Sequence, residues 1–290
     1  MKIAITGGRG FIGSATADAA EAAGHEVFFF DRRDGNDIMG PLDALEGADA
    51  VIHLAGMIGT LELFDTVEEA INVNVMGSYR IMQWCLDHKA QYTGILVPSV
   101  FPSIYRATKD ATRMLATALW HGKGLKVSHV RTFNAFGEGQ AYGGGHPRKF
   151  MPTFSMAAWA GKPIPVWGDG SAQVDLIHVS QVGRMLVDAT RFVNDEVFDA
   201  GCGFTISVND IAEQVLEVTG SEAGVIHEAM RIGEPLPSES CREYQPNVAA
   251  AGDGWGLLDW RPQLTHAQVV NTIRWYEQFK GLDEVPAGLR

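Results

Sequence analysis

Tyr105 and Lys109 are the residues of this chain whose types and spacing are best suited to chemistry. They stand four residues apart in a segment that we predict to be a helix running to about residue 120, so they share one face, one turn apart. A phenol with a pKa near ~10 is a poor base at neutral pH, but an adjacent ammonium favours the phenolate. The pair could therefore move a proton to or from a hydroxyl group. A surface helix that carries Tyr and Lys without a function has the same spacing.

Three glycines near the start of the chain predict a binding site for an anion. The apolar run Ile3 to Ile5 predicts a strand, and the glycines lead from it into an alanine-rich segment that predicts a helix. Gly7 permits a tight turn, Gly10 lets a bound group approach the backbone, and Gly13 lets helix and strand pack closely. The N–H groups of the first helical turn then face an anion, and the pyrophosphate of a dinucleotide is the expected one.

The context of the glycines favours a dinucleotide over a purely structural turn. The next apolar run, residues 26–30, ends in Asp31, about twenty residues after the glycines, where a carboxylate can accept hydrogen bonds from the adenosine ribose. Residues 50–56 predict a third strand. The chain therefore begins with the β-α-β repeat of a dinucleotide-binding fold.

Several motifs together resemble one family. The stretch Thr6 to Gly13 has the spacing Gly-x-x-Gly-x-x-Gly of the short-chain dehydrogenase/reductase superfamily. Gly10-Phe11-Ile12-Gly13 is similar to the extended branch, the NAD-dependent sugar-nucleotide epimerases and dehydratases. Tyr105 and Lys109 match the Tyr-x-x-x-Lys signature of the superfamily, and the resemblance covers nearly the full chain. It implies that Tyr105 exchanges a proton with a substrate hydroxyl, while Lys109 tunes the tyrosine and holds the nicotinamide ribose.

The resemblance also implies the cofactor and its contacts. NAD is expected, because Asp31 would repel the 2′-phosphate of NADP; however, Arg9, Arg32 and Arg33 stand close enough in the sequence to accept one, which keeps NADP as the alternative. Asp37-Ile38 resembles the pair that brackets the adenine in the family. The implied cofactor-binding residues are Gly7, Gly10, Phe11, Ile12, Gly13, Asp31, Arg32, Asp37, Ile38, Leu54, Ala55, Gly56, Asn74, Tyr105 and Lys109.

The third catalytic group of the family is a Ser or Thr at the end of the strand before the tyrosine. Relatives have a longer loop at this point, whereas only residues 98–104 separate the predicted strand from Tyr105. Ser99 is the first candidate for the hydroxyl that orients the substrate oxygen. Ser103 is the alternative, because aligning from the start of the strand places Val100 where the hydroxyl should be.

The same short loop favours epimerisation over dehydration. A dehydratase of this family uses an Asp-Glu pair just after the strand-end hydroxyl, and these places hold Val100 and Phe101. Neither side chain can give or take a proton, so elimination would need carboxylates from elsewhere, such as Glu62 or Asp65.

The predicted substrate contacts also come from the resemblance. Asn134 lies in a match to Arg-x-x-Asn-x-Tyr-Gly and is expected to touch the phosphate or the sugar, and residues 161–170 resemble a hairpin of the substrate lobe. Where relatives carry an Arg to bind the diphosphate, this chain has Val174. Arg231 could still hold a phosphate in bidentate fashion. The implied substrate-binding residues are Ser99, Ser103, Asn134 and Arg231.

Composition excludes several other classes of protein. The net charge of −12 argues against nucleic acid and anionic membranes as partners. No apolar run approaches the ~18–20 residues of a membrane span, and the N-terminus passes directly into a strand, so a cytoplasmic location is expected. The three cysteines have no Cys-x-x-Cys spacing, and neither disulfides nor a metal site is predicted.

The predicted fold is α/β, a Rossmann-like doubly wound parallel sheet with a smaller, discontinuous C-terminal substrate lobe. We expect residues 1–145 and about 176–200 to form the cofactor domain, and about 146–175 and 201–290 the lobe. A homodimer is expected through the helices at about 66–88 and 105–120.

The expected function is NAD-dependent epimerisation of a nucleotide sugar through a keto intermediate. Alternatives are a nucleotide-sugar dehydratase or an NAD(P)-dependent reductase. From another class, the chain could be a catalytically inactive protein that senses dinucleotide, but such a protein would not need Tyr105 and Lys109.

Overall fold

A computed structural model describes residues 1–242 and 255–289 of the chain. The strands are β1 (Lys2–Thr6), β2 (Glu26–Phe30), β3 (Ala50–His53), β4 (Gln91–Leu96), β5 (Val127–Thr132), β6 (Asn134–Phe136), β7 (Ile164–Trp167), β8 (Gln173–Val174), β9 (Leu176–His178), β10 (Asn194–Ala200), β11 (Ile206–Ser207), β12 (Val225–Glu228) and β13 (Glu239–Ser240). The helices are α1 (Phe11–Ala22), α2 (Val67–Ala70), α3 (Ser78–His88), α4 (Ile104–Lys123), α5 (Phe150–Trp159), α6 (Val179–Ala189), α7 (Val208–Thr219) and α8 (His266–Trp275). None of the helices in these ranges is long and apolar enough to cross a bilayer.

Six strands form one parallel sheet in the order β10-β5-β4-β3-β1-β2. In this order β2 lies on one side of β1, and β3, the next strand along the chain, lies on the other side. The direction of winding therefore reverses at β1, and ligands of such sheets bind outside the carboxyl ends of the strands at this point. The predicted Rossmann-type α/β fold is confirmed.

Apolar layers cover both faces of the sheet, because side chains alternate along each strand. Ile3 and Ile5 of β1 belong to the layer that contains α1 and α6, whereas Ala4 faces the layer of α3 and α4. In the first layer, α1 and α6 pack closely against each other. A Cβ at Gly183 of α6 would lie only 2.4 Å from the carbonyl oxygen of Ala15, so glycine is required where the two helices meet.

A separate apolar cluster joins α5, β7, α7 and α8, with Phe154, Val166, Ile211 and Ile273 among its buried residues. The small sheets β11-β8-β13 and β12-β7 belong to this C-terminal part of the chain. The boundaries proposed for the substrate lobe stay predictions, and residues 243–254 and 290 of the predicted lobe lie outside the described residues.

The hairpin predicted at residues 161–170 is wrong. β7 pairs in parallel with β12, and β8 pairs with β11 and β13 instead of with β7. Gly168 and Gly170 have φ angles of +68° and +74° and turn the chain away from β7. The turn is then held by α7, where the Asn209 amide donates to the carbonyl of Asp169 at 2.9 Å.

The helix predicted at 66–88 is present, but its middle is not α-helical. Residues Ile71–Gly77 form a π-helical segment between α2 and α3. Such segments are rare and often lie at functional sites. This one carries Asn74 toward the carboxyl end of the sheet.

Candidate active site

The turn after β1 has contacts that only glycine allows. Gly7 has a φ of +67°, and a Cβ there would lie 2.8 Å from the backbone nitrogen of Ala55. A Cβ at Gly13 would lie 2.4 Å from the Gly7 carbonyl oxygen. Gly10 is the N-cap of α1, and no side chain caps the helix there. A bound anion can therefore approach the N–H groups of the first helical turn, as a dinucleotide pyrophosphate requires.

Asp31 lies at the end of β2, beside this turn. Its Oδ2 accepts the N–H of Arg9 at 3.0 Å and its Oδ1 accepts the N–H of Arg33 at 2.9 Å. Arg9 pairs with Asp34 at 3.0 Å, and Arg33 donates to the Arg9 carbonyl at 2.8 Å. Two of the three arginines suggested as acceptors of a 2′-phosphate are thus held by the protein itself.

A buried chain of hydroxyl and imidazole groups fixes the loop after β3. Thr6 Oγ1 contacts His53 Nδ1 at 2.7 Å, and His53 Nε2 contacts Ser78 Oγ at 2.9 Å. Burial, with a smaller effect of the Lys109 charge, lowers the pKa of His53 to about 3, so the ring is neutral. The N–H groups of Leu54 and Ala55 donate to Thr6 Oγ1 at 3.1 and 3.2 Å, which holds this loop against the end of β1.

Asn74 holds the next part of the same loop. Met57 donates its N–H to Asn74 Oδ1 at 2.7 Å, and Asn74 Nδ2 donates to the Met57 carbonyl at 3.0 Å and to Thr108 Oγ1 at 3.1 Å. A Cβ at Gly56 would lie 2.9 Å from Asn74 Oδ1. The Asn74 amide therefore positions the loop that carries Leu54 to Gly56, and its contact with the cofactor stays a prediction.

Ile38 and Asp37 lie at the adenine end of the predicted site. The Ile38 side chain is buried in the core, where its Cδ1 occupies the space that a Cβ on Gly77 would need. Asp37 accepts the N–H of Met39 at 2.8 Å. An adenine contact of Ile38 would therefore involve its backbone and not its side chain.

Tyr105 and Lys109 lie on one face of α4, as the spacing predicts. The Lys109 ammonium lies 5.9 Å from the centre of the Tyr105 ring. Burial lowers the pKa of Lys109 to about 8 and raises the pKa of Tyr105 to about 12. A Cβ at Gly56 would lie 3.8 Å from Lys109 Nζ, so the lysine reaches the loop after β3. The two side chains therefore stand at the carboxyl end of the sheet, beside the glycine turn.

The two candidate hydroxyls have different surroundings. Ser103 is the N-cap of α4, and its side chain accepts the N–H of Arg106 at 3.1 Å. Ser99 lies in the loop between β4 and α4 and is half-buried. The Ser103 oxygen thus caps the helix, and the choice of Ser99 as the hydroxyl that contacts a ligand stays a prediction.

Cationic and aromatic side chains meet on the C-terminal side of this loop. The Arg231 guanidinium lies 5.2 Å from the centre of the Phe101 ring and 4.7 Å from that of Trp167. Arg231 Nε also donates to Glu234 at 2.7 Å, so one edge of the guanidinium already has a carboxylate partner. Arg148 lies 4.5 Å from the Trp167 ring centre. Phe101 thereby joins the short loop to the C-terminal part of the chain.

Lys149 belongs to the same cluster, although it was not among the predicted site residues. Desolvation and the charge of Arg231 lower its pKa, while the charge of Glu62 raises it. Glu62 is the residue named from the sequence as a carboxylate that elimination could use. Lys149 immediately precedes α5. This position before a predicted helix is the sequence signal that could have marked it as a candidate site residue.

Asn134 and Val174 are part of the strand framework. The Asn134 amide donates to the Asp175 carbonyl at 3.3 Å and to Ser240 Oγ at 3.4 Å. Val174 is buried in the apolar cluster of the C-terminal part. Asp175 is also buried and accepts the N–H groups of Cys202 and Gly203, and burial raises its pKa to about 6. These residues connect β6 with β8 and β13.

Comparison with known proteins agrees with this geometry. The model of the NAD dependent epimerase/dehydratase family matches residues 3–201. The chain belongs to this family. Its match spans the glycine turn, the loop after β3, and the Tyr105–Lys109 pair.

Members of the family with different reactions are similar to the chain. UDP-N-acetyl-alpha-D-glucosaminuronate decarboxylase of Bacillus cytotoxicus is 25% identical in an alignment that covers 95% of this chain and 98% of the relative. The dTDP-glucose 4,6-dehydratase of Streptomyces niveus is 25% identical over 95% of this chain and 93% of the relative. Among solved structures, MoeE5 in complex with UDP-glucuronic acid and NAD has a TM-score of 0.82 and 25% identity, covering 96% of this chain and 100% of that chain.

These relatives establish an enzyme family of NAD-dependent nucleotide-sugar epimerases, dehydratases and decarboxylases. NAD is the cofactor, as predicted. The residues present are suited to binding NAD. The glycine turn leaves room for a pyrophosphate, and Asp31 stands at the end of β2, where it can accept hydrogen bonds from the ribose.

Proposed function

We propose that the protein is an NAD-dependent epimerase that acts on a nucleotide sugar through a transient keto sugar. Tyr105 takes the proton of a substrate hydroxyl as the carbon becomes a ketone, and returns a proton to the oxygen after the sugar has turned over. NAD, when bound, supplies the hydride acceptor and then the hydride donor. The reaction has no net change in atoms or electrons.

Lys109 supports Tyr105 in this role. Burial raises the pKa of the phenol to about 12, so Tyr105 is protonated at neutral pH and needs positive charge nearby to act as a base. The Lys109 ammonium, 5.9 Å from the ring centre, provides part of that charge. Ser99, the first candidate from the sequence, orients the substrate oxygen toward Tyr105, and Ser103 caps α4.

The observation that carries the choice of epimerisation is the packing of Phe101 against Arg231. By the resemblance, Val100 and Phe101 of the short loop after β4 stand where a dehydratase of this family carries an Asp-Glu pair. An epimerase needs no proton donor beyond Tyr105, whereas elimination must also protonate a departing hydroxyl. An elimination would have to rely on carboxylates from elsewhere in the chain, such as Glu62 or Asp65.

The experiment is a product analysis in deuterium oxide. Purified protein is incubated with NAD and a panel of UDP- and dTDP-linked sugars and uronic acids, and the products are identified by NMR and mass spectrometry. An epimer without solvent deuterium on carbon supports the proposal. Loss of water with deuterium at C5 indicates a dehydratase, release of carbon dioxide a decarboxylase, and net oxidation of NADH or NADPH, supplied in a parallel incubation, a reductase.

Tyr105→Phe is the matched control. It should retain NAD binding and lower turnover by the ~10²–10⁴ typical of losing a positioned acid/base group. Full activity in this variant would remove Tyr105 from the mechanism. A wild-type protein that binds NAD and turns over no sugar in the panel would favour the dinucleotide-sensing alternative.

A further inference from the structure

The segment 283–289 returns from α8 to the cofactor-binding part of the chain. Tyr142 and Val285 exchange backbone hydrogen bonds of 2.9 and 2.8 Å, and Gly288 donates its N–H to the Gly139 carbonyl at 2.9 Å. Val285 is fully buried in a small cluster with Met156 and Tyr276. The segment is therefore anchored on the loop that follows β6.

Beyond this anchor the segment contacts the glycine turn. At Gly288, where φ is +81°, a Cβ would lie 2.4 Å from the Arg9 carbonyl oxygen and 3.1 Å from Ser14 Oγ. The Ala287 carbonyl accepts Arg33 Nη1 at 3.2 Å. The same nitrogen donates to the Arg9 carbonyl at 2.8 Å, so Arg9, Arg33 and the segment form one connected group.

The backbone of that group continues to Asp31. Arg9 and Arg33 donate their N–H groups to the two carboxylate oxygens of Asp31, at 3.0 and 2.9 Å. The orientation of this carboxylate thus depends on the two residues that the segment holds. The Arg33 guanidinium is at the same time directed to carbonyl oxygens instead of to a ligand.

We propose that residues 283–289 position Asp31 for the adenosine ribose and so set both the affinity for NAD and the preference for NAD over NADP. Displacing the segment loosens the Asp31 carboxylate, which weakens the contact with the ribose hydroxyls. It also frees the Arg33 guanidinium, which can then accept the 2′-phosphate of NADP. Gly288 is the contact point, because any side chain there collides with Arg9.

The test compares Gly288→Ala with Gly281→Ala in protein freed of dinucleotide. Both changes put alanine at a positive φ, but the Cβ at Gly281 would meet nothing within 4 Å. Calorimetric titration should give a Kd for NAD that rises roughly three- to tenfold in Gly288→Ala, the size expected for losing one or two hydrogen bonds. The Kd for NADP should rise less or fall. Gly281→Ala should leave both constants unchanged.

Two further measurements separate positioning from a general loss of stability. In an Asp31→Ala background, Gly288→Ala should change the Kd for NAD no further, because the two changes act on one contact. Amide hydrogen exchange at Arg9 and Arg33 should become faster in Gly288→Ala without ligand. If Gly288→Ala does not fold, Val285→Ala, which loosens the anchor, should shift the ratio of the two constants in the same direction. Equal losses for NAD and NADP, or the same loss in Gly281→Ala, would overturn the proposal.

Discussion

The Lys109 ammonium lies 5.9 Å from the centre of the Tyr105 ring, and it forms no ion pair with any carboxylate in residues 1–242 and 255–289. Lys109 is only 4% exposed, so its charge is held away from water without a compensating partner. Buried charges of this kind destabilise the folded state unless they are paired. Stability does not explain the position of Lys109, whereas the proposed task beside Tyr105 does.

Lys109→Met should stabilise the protein while removing its activity. The free energy of unfolding at pH 7 should rise by about 1–3 kcal/mol, because an apolar side chain of similar length replaces a buried unpaired cation. Denaturant unfolding measures this, with Lys123→Met at the exposed end of the same helix as the control, expected within about 0.5 kcal/mol of wild type. A destabilised Lys109→Met would show that the ammonium supports the fold.

Lys109 should also make the stability of the cofactor-free protein depend on pH. Its pKa falls from an ordinary value of 10.5 to about 8 in the folded state, so between these values the unfolded chain binds more protons. Stability should therefore rise as the pH increases from about 8 toward 10.5, and Lys109→Met should remove this increase. The midpoint of urea unfolding, measured at intervals across this range, checks the sign.

Ser99→Ala and Ser103→Ala should have separable effects. Ser103 caps α4, so its loss should lower the free energy of unfolding by about 0.5–2 kcal/mol with a small change in turnover. Ser99→Ala should lower kcat, although by less than Tyr105→Phe does. If Ser103→Ala lowers kcat more than Ser99→Ala, the assignment of the strand-end hydroxyl is wrong.

NAD should bind more tightly than NADP. The Asp31 carboxylate repels a 2′-phosphate. Arg9 and Arg33 are both engaged by the protein. Arg32 is exposed and forms no ion pair within the described ranges. Asp31→Ala should narrow the gap between the two dissociation constants, and Arg32→Ala should widen it by weakening NADP. Tighter binding of NADP to the wild type would contradict the preference.

A homodimer remains a prediction, and two exposed apolar side chains are consistent with it. Met114 of α4 is 73% exposed and Ile71 of the π-helical segment is 46% exposed, on the two helices expected to pack against their symmetry mates. Met114→Glu should reduce the mass measured by light scattering toward that of a monomer. Ile226→Glu on β12 is the control and should leave the mass unchanged. A wild-type monomer at all micromolar concentrations would refute the dimer.

Local patterns predicted the cofactor-binding half of the fold well. Buried parallel strands are continuous apolar runs, so β1, β2 and β3 were found within a few residues of their ends. The positive φ of Gly7, the close approach of Gly13 to the Gly7 carbonyl, and the shared face of Tyr105 and Lys109 also arise between near neighbours in the chain.

Contacts between distant parts of the chain were not predictable in the same way. Nothing in the apolar pattern of β7 indicates that its partner is β12 and not the strand that follows it. The approach of Lys149 to Arg231, and of Gly288 to Arg9, depends on how the C-terminal part packs against the sheet. The π-helical segment was missed because its apolar residues also fit α-helical spacing.

The π-helical segment Ile71–Gly77 fixes the number of residues in this helix. Because each residue of an α-helix turns the chain by about 100°, removing one residue here would rotate one half of the helix against the other by that angle. Asn74 could then stay beside Met57, or Ser78 could stay beside His53, but the two contacts could not coexist. Substitutions at the exposed Asn72 and Met76 should be tolerated, whereas insertions or deletions between 71 and 77 should not.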